Sequence, residues 1–197
     1  MSEPAARAAT LRQAIVFTGH MVDAPDRPTP RFPAAQVDAA ARRIDAALAQ
    51  IDAGPHDLAF TQGAAGGDLL FAEACLARGV PLRLLLPVDE REFVARSLLP
   101  VTDGAVWYAR FRAVVARLGH APSEAPRVLG KLGDGEDPFV RGNLWLLESA
   151  LAVGAERLCC ICLWDGGGGD GPGGTRHLVE AVADAGGTVV RIDTRSL

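Results

Sequence analysis

Short runs of apolar residues alternate along the chain with longer stretches in which apolar residues recur at helical spacing. The short runs predict strands at residues 14–19, 58–62, 81–86, 158–164 and 188–193. The longer stretches predict helices at residues 34–52, 67–79, 89–98, 103–119, 139–154 and 176–186. Strands that alternate with helices in this way predict a parallel sheet with helices on both faces.

The strand segments LRLLL and LCCICLW are apolar throughout, as expected for strands that are covered on both faces. The pattern predicts an α/β fold: one Rossmann-like domain over residues 1–197, with a mainly parallel sheet of five or more strands. Residues 1–12 are polar and are expected to form a flexible N-terminal segment. Residues 23–33 and 121–138 are rich in proline or glycine and are predicted loops.

Composition narrows the classes of function. Hydrophobic residues make up 49% of the 197 residues and charged residues 22%, as in an ordinary globular protein. The formal net charge is −4 and Lys131 is the only lysine, which disfavours a nucleic-acid partner and binding to an anionic membrane. The sequence contains neither an apolar run long enough to span a membrane nor the pattern of a signal peptide, so a cytoplasmic location is expected.

The cysteines are expected to be reduced core residues. Cys159, Cys160 and Cys162 lie in one apolar strand, and Cys75 lies elsewhere in the chain. This spacing suits neither a disulfide framework nor a complete metal site. No metal and no cofactor are therefore predicted. Strand alternation is expected to place Cys160 and Cys162 on the same face of the sheet.

Polar and glycine-rich segments follow three of the predicted strands. The first strand ends in Thr18-Gly19-His20, the second leads into Gly63–Asp68, and the fourth leads into a glycine loop that ends at Thr175. In a parallel sheet these ends meet at one edge, and glycines at a helix start let a phosphate approach the backbone amides. The alternative is that the glycines only make tight turns. Two such loops at one edge favour a site for a nucleotide or sugar phosphate.

The candidate ligand-binding residues are those that follow these strands, together with two arginines of the proline-rich loop. They are Gly19, His20, Arg27, Arg31, Gly63, Ala64, Gly66, Gly67, Asp68, Asp165, Gly166, Asp170, Gly171, Gly173, Gly174 and Thr175.

Four of these side chains have alternative roles. His20 is either a general acid or a hydrogen-bonding partner within its loop. Arg27 and Arg31 either bind phosphate or remain solvated loop charges. Asp68 is either a helix cap or an acceptor for a ribose or for the neighbouring loop.

The stretch TQGAAGGDLLFAEACLARGVPLRLLLP resembles the strand–loop–helix–strand unit of the SLOG superfamily. That superfamily unites the DNA-processing protein A family, the "Lonely guy" phosphoribohydrolases and several nucleotide-sensing bacterial domains. The later stretch GDGPGGTRHLVE resembles the second glycine loop of the "Lonely guy" enzymes. The resemblance covers residues 14–87 and 157–194 and leaves residues 100–140 uncovered.

The resemblance implies nucleotide binding, but the catalytic motif is broken. "Lonely guy" enzymes carry a glutamate three positions after the threonine of the loop, where this chain has Leu178. Glu180 lies two residues further on, about 200° around a helix from that position. The catalytic residues of an enzyme therefore stay unassigned.

The segments FTGHMVDAPDRPTPRFP and LWDGGGGDGPGGT also resemble bacterial proteins encoded near nucleotide-cyclase and tetratricopeptide-repeat signalling genes. Three functions remain open: a nucleotide-binding sensor domain in bacterial signalling or defence, an N-glycosidic hydrolase acting on nucleoside monophosphates, and a binder of single-stranded DNA. The first leads because no complete catalytic set is evident, and the net charge weighs against the third. A homodimer and a signalling-protein partner are compatible with the resemblance.

Overall fold

Six parallel strands form one sheet in the computed structural model, which describes residues 11–168 and 172–197. In chain order the strands are β1 (Gln13–Gly19), β2 (Leu58–Thr61), β3 (Leu82–Leu86), β4 (Ser123–Glu124), β5 (Arg157–Leu163) and β6 (Thr188–Ile192). Their order in the sheet is β4-β3-β2-β1-β5-β6. Residues 1–10 of the predicted N-terminal segment, and Asp170 and Gly171 of the predicted site, lie outside the described residues.

Helices connect the strands. They are α1 (Val37–Gln50), α2 (Gly67–Ala77), α3 (Glu90–Ser97), α4 (Gly104–Leu118), α5 (Ala125–Val128), α6 (Pro138–Ala152) and α7 (Thr175–Asp184), with short 3₁₀ segments at Ala34–Gln36 and Thr194–Ser196.

The side chains of β1 divide between two apolar layers. Ile15 and Phe17 pack with α1, α2 and α4 on one face, whereas Ala14 and Val16 pack with α6 and α7 on the other. This division follows from the period of two along a strand. The α/β fold with a mainly parallel, doubly covered sheet is therefore confirmed.

The segment 121–138 is a loop only in part, so that prediction was incomplete. Ser123 and Glu124 pair with Leu85 and Leu86 as the edge strand β4. The helix α5 follows at once, with a proline in its first turn. A two-residue strand has no alternating pattern to recognise, and a proline at a helix start reads as a loop signal when taken alone.

All four cysteines are free and buried. Cys160 and Cys162 lie in the same apolar layer, with Trp145 and Leu178, which confirms the predicted alternation. Burial raises the pKa of the Cys160 thiol well above its ordinary value and that of Cys162 to about 11, so both are neutral thiols at physiological pH. They act as small apolar core residues.

The order of the strands reverses beside β1. The chain moves outward from β1 to β2, β3 and β4, and then returns to the other side of β1 with β5 and β6. This defines a Rossmann-like topology with its switch point between β1 and β5. A crevice opens at such a point beyond the carboxyl ends of the two strands.

Candidate functional site

A cleft of about 500 Å³ lies at the carboxyl ends of β1 and β5, at the switch point. Its walls come from the end of β1, the proline-rich loop 23–33, the end of α3, the first turn of α6, and the loop before α7. Polar and charged side chains that line the cleft include Arg27, Arg31, Arg96 and Asp137, together with Asp68 from the first turn of α2. The volume is within the range of sites for small organic ligands.

His20 joins the ends of the two central strands. Its backbone N–H donates to Leu163 O at 2.9 Å, and its Nε2 lies 3.1 Å from Asp165 Oδ1 and 3.3 Å from the Asp165 backbone N. One nitrogen cannot serve both contacts at once: it accepts the Asp165 N–H when unprotonated and donates to the carboxylate when protonated. Burial lowers the pKa of His20, although Asp165 opposes that shift.

The glycines after β2 serve a close approach between two backbone segments. Gly66 has φ 111°, and a Cβ placed on it would lie 2.7 Å from Val22 N and 2.9 Å from His20 O. The neighbouring Gly67 N–H donates to His20 O at 3.1 Å, and Val22 N–H donates to Ala65 O at 3.1 Å. Only glycine fits position 66, because both its conformation and the space around it exclude a side chain.

Asp68 organises the same loop from inside. Its Oδ2 accepts the backbone N–H of Gly63 at 3.1 Å and that of Ala64 at 3.4 Å. The carboxylate thus accepts from the neighbouring loop, one of the roles considered for it. Burial raises the pKa of Asp68 to about 6, although its hydrogen bonds favour the charged form. Its side chain also borders the cleft.

The loop before α7 rests on the first turn of α6. Gly173 has φ 75°, and a Cβ on it would lie 2.5 Å from Val140 N and 2.6 Å from Phe139 C. Gly174 is the N-cap of α7, with φ −72° and ψ −179°, and it has no side chain to accept from the helix amides. The N-terminus of α7 borders the cleft through Gly173, Gly174 and Thr175. A helix N-terminus favours an anion.

Three arginines border the cleft. Asp23 shapes the loop that carries two of them: its Oδ2 accepts the N–H groups of Arg31 and Phe32, each at 2.9 Å. Arg27 Nε lies 3.3 Å from Asp23 Oδ1, and Arg31 Nη1 donates to Gly168 O at 3.5 Å. The third, Arg96, lies over the Phe139 ring with its guanidinium carbon 4.7 Å from the centroid.

The predicted residues that line this cleft come from the end of β1, the proline-rich loop and the two glycine loops: Gly19, His20, Arg27, Arg31, Ala64, Asp68, Gly173, Gly174 and Thr175. The predicted residues Gly63, Gly66, Gly67, Asp165 and Gly166 are not among the lining residues. Asp165 is connected to the cleft through His20, and the amides of Gly63 and Gly67 already donate within the protein.

The polar lining residues that the sequence reasoning missed are Thr18, Gln62, Arg96, Ser97, Asp137 and Asn143. Asp137 carried a signal, because an aspartate before a proline-initiated helix is a typical N-cap, and its Oδ1 accepts from Phe139 N and Val140 N. Asn143 lies within an apolar helix, and only the phase of α6 against the sheet turns it inward.

The part of the chain that the structure describes contains no group of three or more His, Cys, Asp or Glu side chains arranged to hold a metal. Among the same residues no helix has the length and apolar character needed to cross a membrane.

Comparisons with known proteins do not identify a family for this chain. No protein-family model matches the sequence, and no curated protein matches it. Among solved structures the chain is similar to the X-ray structure of TM1055, a target of the Northeast Structural Genomics Consortium. The identity is 16% and the TM-score 0.42, over 90% of this chain and 72% of that one. The fold assignment therefore rests on the sheet topology itself.

Proposed function

We propose that the chain is a SLOG-type domain, spanning residues 1–197, that binds a nucleotide or nucleotide derivative in the cleft. It would act as a sensor domain in cytoplasmic bacterial signalling or defence. The observation that carries this proposal is the cleft at the switch point, where the glycine-capped start of α7 and three arginines border one volume. As a homodimer or with a signalling protein, such a domain would report ligand binding to a partner.

The phosphate is expected at the start of α7. The helix dipole and its first amides favour negative charge there, and the Thr175 hydroxyl can donate as well. Arg31 and Arg27, on the proline-rich loop that borders the same cleft, can donate hydrogen bonds to the phosphate oxygens. The apolar side chains of Val22 and Val101 border the same cleft and suit the less polar part of a nucleotide.

The test is a thermal-shift screen with nucleoside monophosphates, cyclic nucleotides and dinucleotides, followed by calorimetric titration of the strongest binder. A ligand that binds only the folded state raises the melting temperature by mass action. If AMP is that ligand, Arg31→Ala should weaken its binding about tenfold or more, because a hydrogen bond to a charged group is lost. The matched control is Arg42→Ala, an exposed arginine on α1 away from the cleft. Equal affinity in both variants, or no binder in the screen, would contradict the proposal.

A hydrolase is the second candidate, and two titratable groups favour it. Asp68 has a pKa raised to about 6 by burial, and His20 is paired with Asp165. Groups with perturbed pKa values in a cleft are candidates for acid–base catalysis. The chain would then release adenine from AMP, which chromatography detects directly, and Asp68→Asn should abolish the release. AMP binding without any release of adenine would leave the sensor as the function.

A further inference from the structure

Asn143 is a buried polar residue on α6 that connects three elements of the cleft. Its relative exposure is 3%, and it lies on the buried face of α6. Its Nδ2 donates to Gly173 O at 2.7 Å and lies 3.5 Å from Gly174 O. Its Oδ1 accepts from Gln62 Nε2, beyond the end of β2, at 3.0 Å.

The Gly173 contact determines which way the Asn143 amide faces. Because the Gly173 carbonyl can only accept, the Nδ2 group must point toward the loop before α7, and the Asn143 oxygen then points toward the end of β2, where it accepts from Gln62 Nε2. A carboxylate at position 143 could not donate to Gly173 O, and an apolar side chain could make neither bond. The bridge therefore requires a side chain with one acceptor and one donor end.

Close packing around the start of α6 leaves little space beside the hydrogen bonds of Asn143. Gly173 sits so close to the first turn of α6 that a Cβ would overlap Val140 N. Just after that turn, a Cβ at Gly142 would lie 2.7 Å from Pro87 Cβ. The start of α6 therefore packs closely against both Pro87, which follows β3, and the loop before α7, with the Asn143 amide as the polar link.

We propose that Asn143 is a positioning residue for the anion site, holding residues 173–174 so that the first amides of α7 face the cleft. This rests on the proposed function, because the anion itself is part of that proposal. His177 reports the position of the loop independently of any ligand: its backbone N–H donates to Gly174 O at 3.0 Å, the carbonyl beside the Asn143 amide. If residues 173–174 move away from Asn143, the His177 backbone amide should become exposed to solvent.

The test uses Asn143→Asp and Asn143→Leu. Aspartate keeps the shape but loses the donor; leucine loses both bonds without adding a negative charge, which separates loss of the donor from repulsion of the anion. Two readouts are compared well below each melting temperature: hydrogen exchange of the His177 amide in ligand-free protein, and the Kd for inorganic phosphate. Exchange of the buried Val16 amide in β1 reports global stability in the same samples.

We expect the His177 amide to exchange about tenfold faster and phosphate to bind about tenfold more weakly in both variants, because both lose the hydrogen bond to Gly173 O. Exchange at Val16 should change less. Unchanged exchange at His177 in a folded variant, or faster exchange with unchanged phosphate affinity, would overturn the proposal. If neither variant folds, Gln62→Leu removes the hydrogen bond that holds the Asn143 oxygen and is held to the same outcomes. A wild-type protein that binds no phosphate, with faster exchange in the variants, would overturn the proposed function while supporting the positioning of the loop.

Discussion

The replacement Gly66→Ala tests the close packing between the loop after β2 and the segment after β1. The new Cβ would lie 2.7 Å from Val22 N and 2.9 Å from His20 O. Both are backbone atoms, and His20 O already accepts the Gly67 N–H. Neither atom can move aside like the end of a flexible side chain, so the overlap must strain one of the two segments.

The expected cost has two parts. Holding a residue with a side chain at φ 111° and ψ −126° costs about 1–3 kcal/mol. Forcing an extra carbon into a filled space adds about 1–3 kcal/mol. The sum, roughly 2–6 kcal/mol, corresponds to a fall in melting temperature of roughly 4–24 °C for a chain of this size.

Two control glycines separate these parts. Gly79 has φ 70° and nothing within 4 Å of the position that a Cβ would occupy, so Gly79→Ala should cost only the conformation, about 1–2 kcal/mol. Gly54 has neither restriction, and Gly54→Ala should stay within about 1 kcal/mol of wild type. Urea unfolding gives the free energy of unfolding of each variant. If Gly66→Ala is no more destabilising than Gly79→Ala, the close-packing account of this loop is wrong.

Three further predictions concern the cleft and a buried carboxylate. Gly174→Val should stay folded, since φ −72° and ψ −179° suit valine, yet lose nucleotide affinity in a calorimetric titration; a folded variant with unchanged affinity would refute the phosphate site. With the pKa of Asp68 raised to about 6, the folded state binds more protons than the unfolded state between about pH 4 and 6. Asp68 should therefore lower the free energy of unfolding as pH rises through that window, by up to about 3 kcal/mol, and Asp68→Asn should remove this slope; parallel pH curves would contradict it. Asp57 has a lowered pKa, and its Oδ2 accepts hydrogen bonds from Arg12 and Gln13. Asp57→Asn should therefore lower the free energy of unfolding by about 3 kcal/mol at neutral pH and by less in acid, where the wild-type carboxylate is protonated as well. A decrease in urea unfolding that does not vary with pH would contradict this prediction.

The strands were predictable because their signal is local. Each buried strand is a short apolar run, and the long helical connections imply parallel pairing. The edge strand β4 was not predictable, since two residues carry no period and the pairing with β3 depends on residues far away in the chain.

The roles of the glycines could not be separated from the sequence. Gly66 and Gly173 both precede helices, and both could have faced a phosphate. In the folded protein each packs against a distant backbone segment, Gly66 against residues 20–22 and Gly173 against the start of α6. Such contacts join residues far apart in sequence, so no local pattern reveals them. The inward position of Asn143 depends in the same way on the packing of α6.

The central claim is that the cleft at the switch point binds a nucleotide, and a titration of ¹⁵N-labelled protein with AMP tests it most directly. Saturable amide shifts are expected to concentrate at His20, Gly173, Gly174 and Thr175, because these residues line the cleft around the expected phosphate position. Saturable shifts confined to the smaller cavity beside Trp145 and Arg83, or no saturable shift with any nucleotide of the panel, would contradict it.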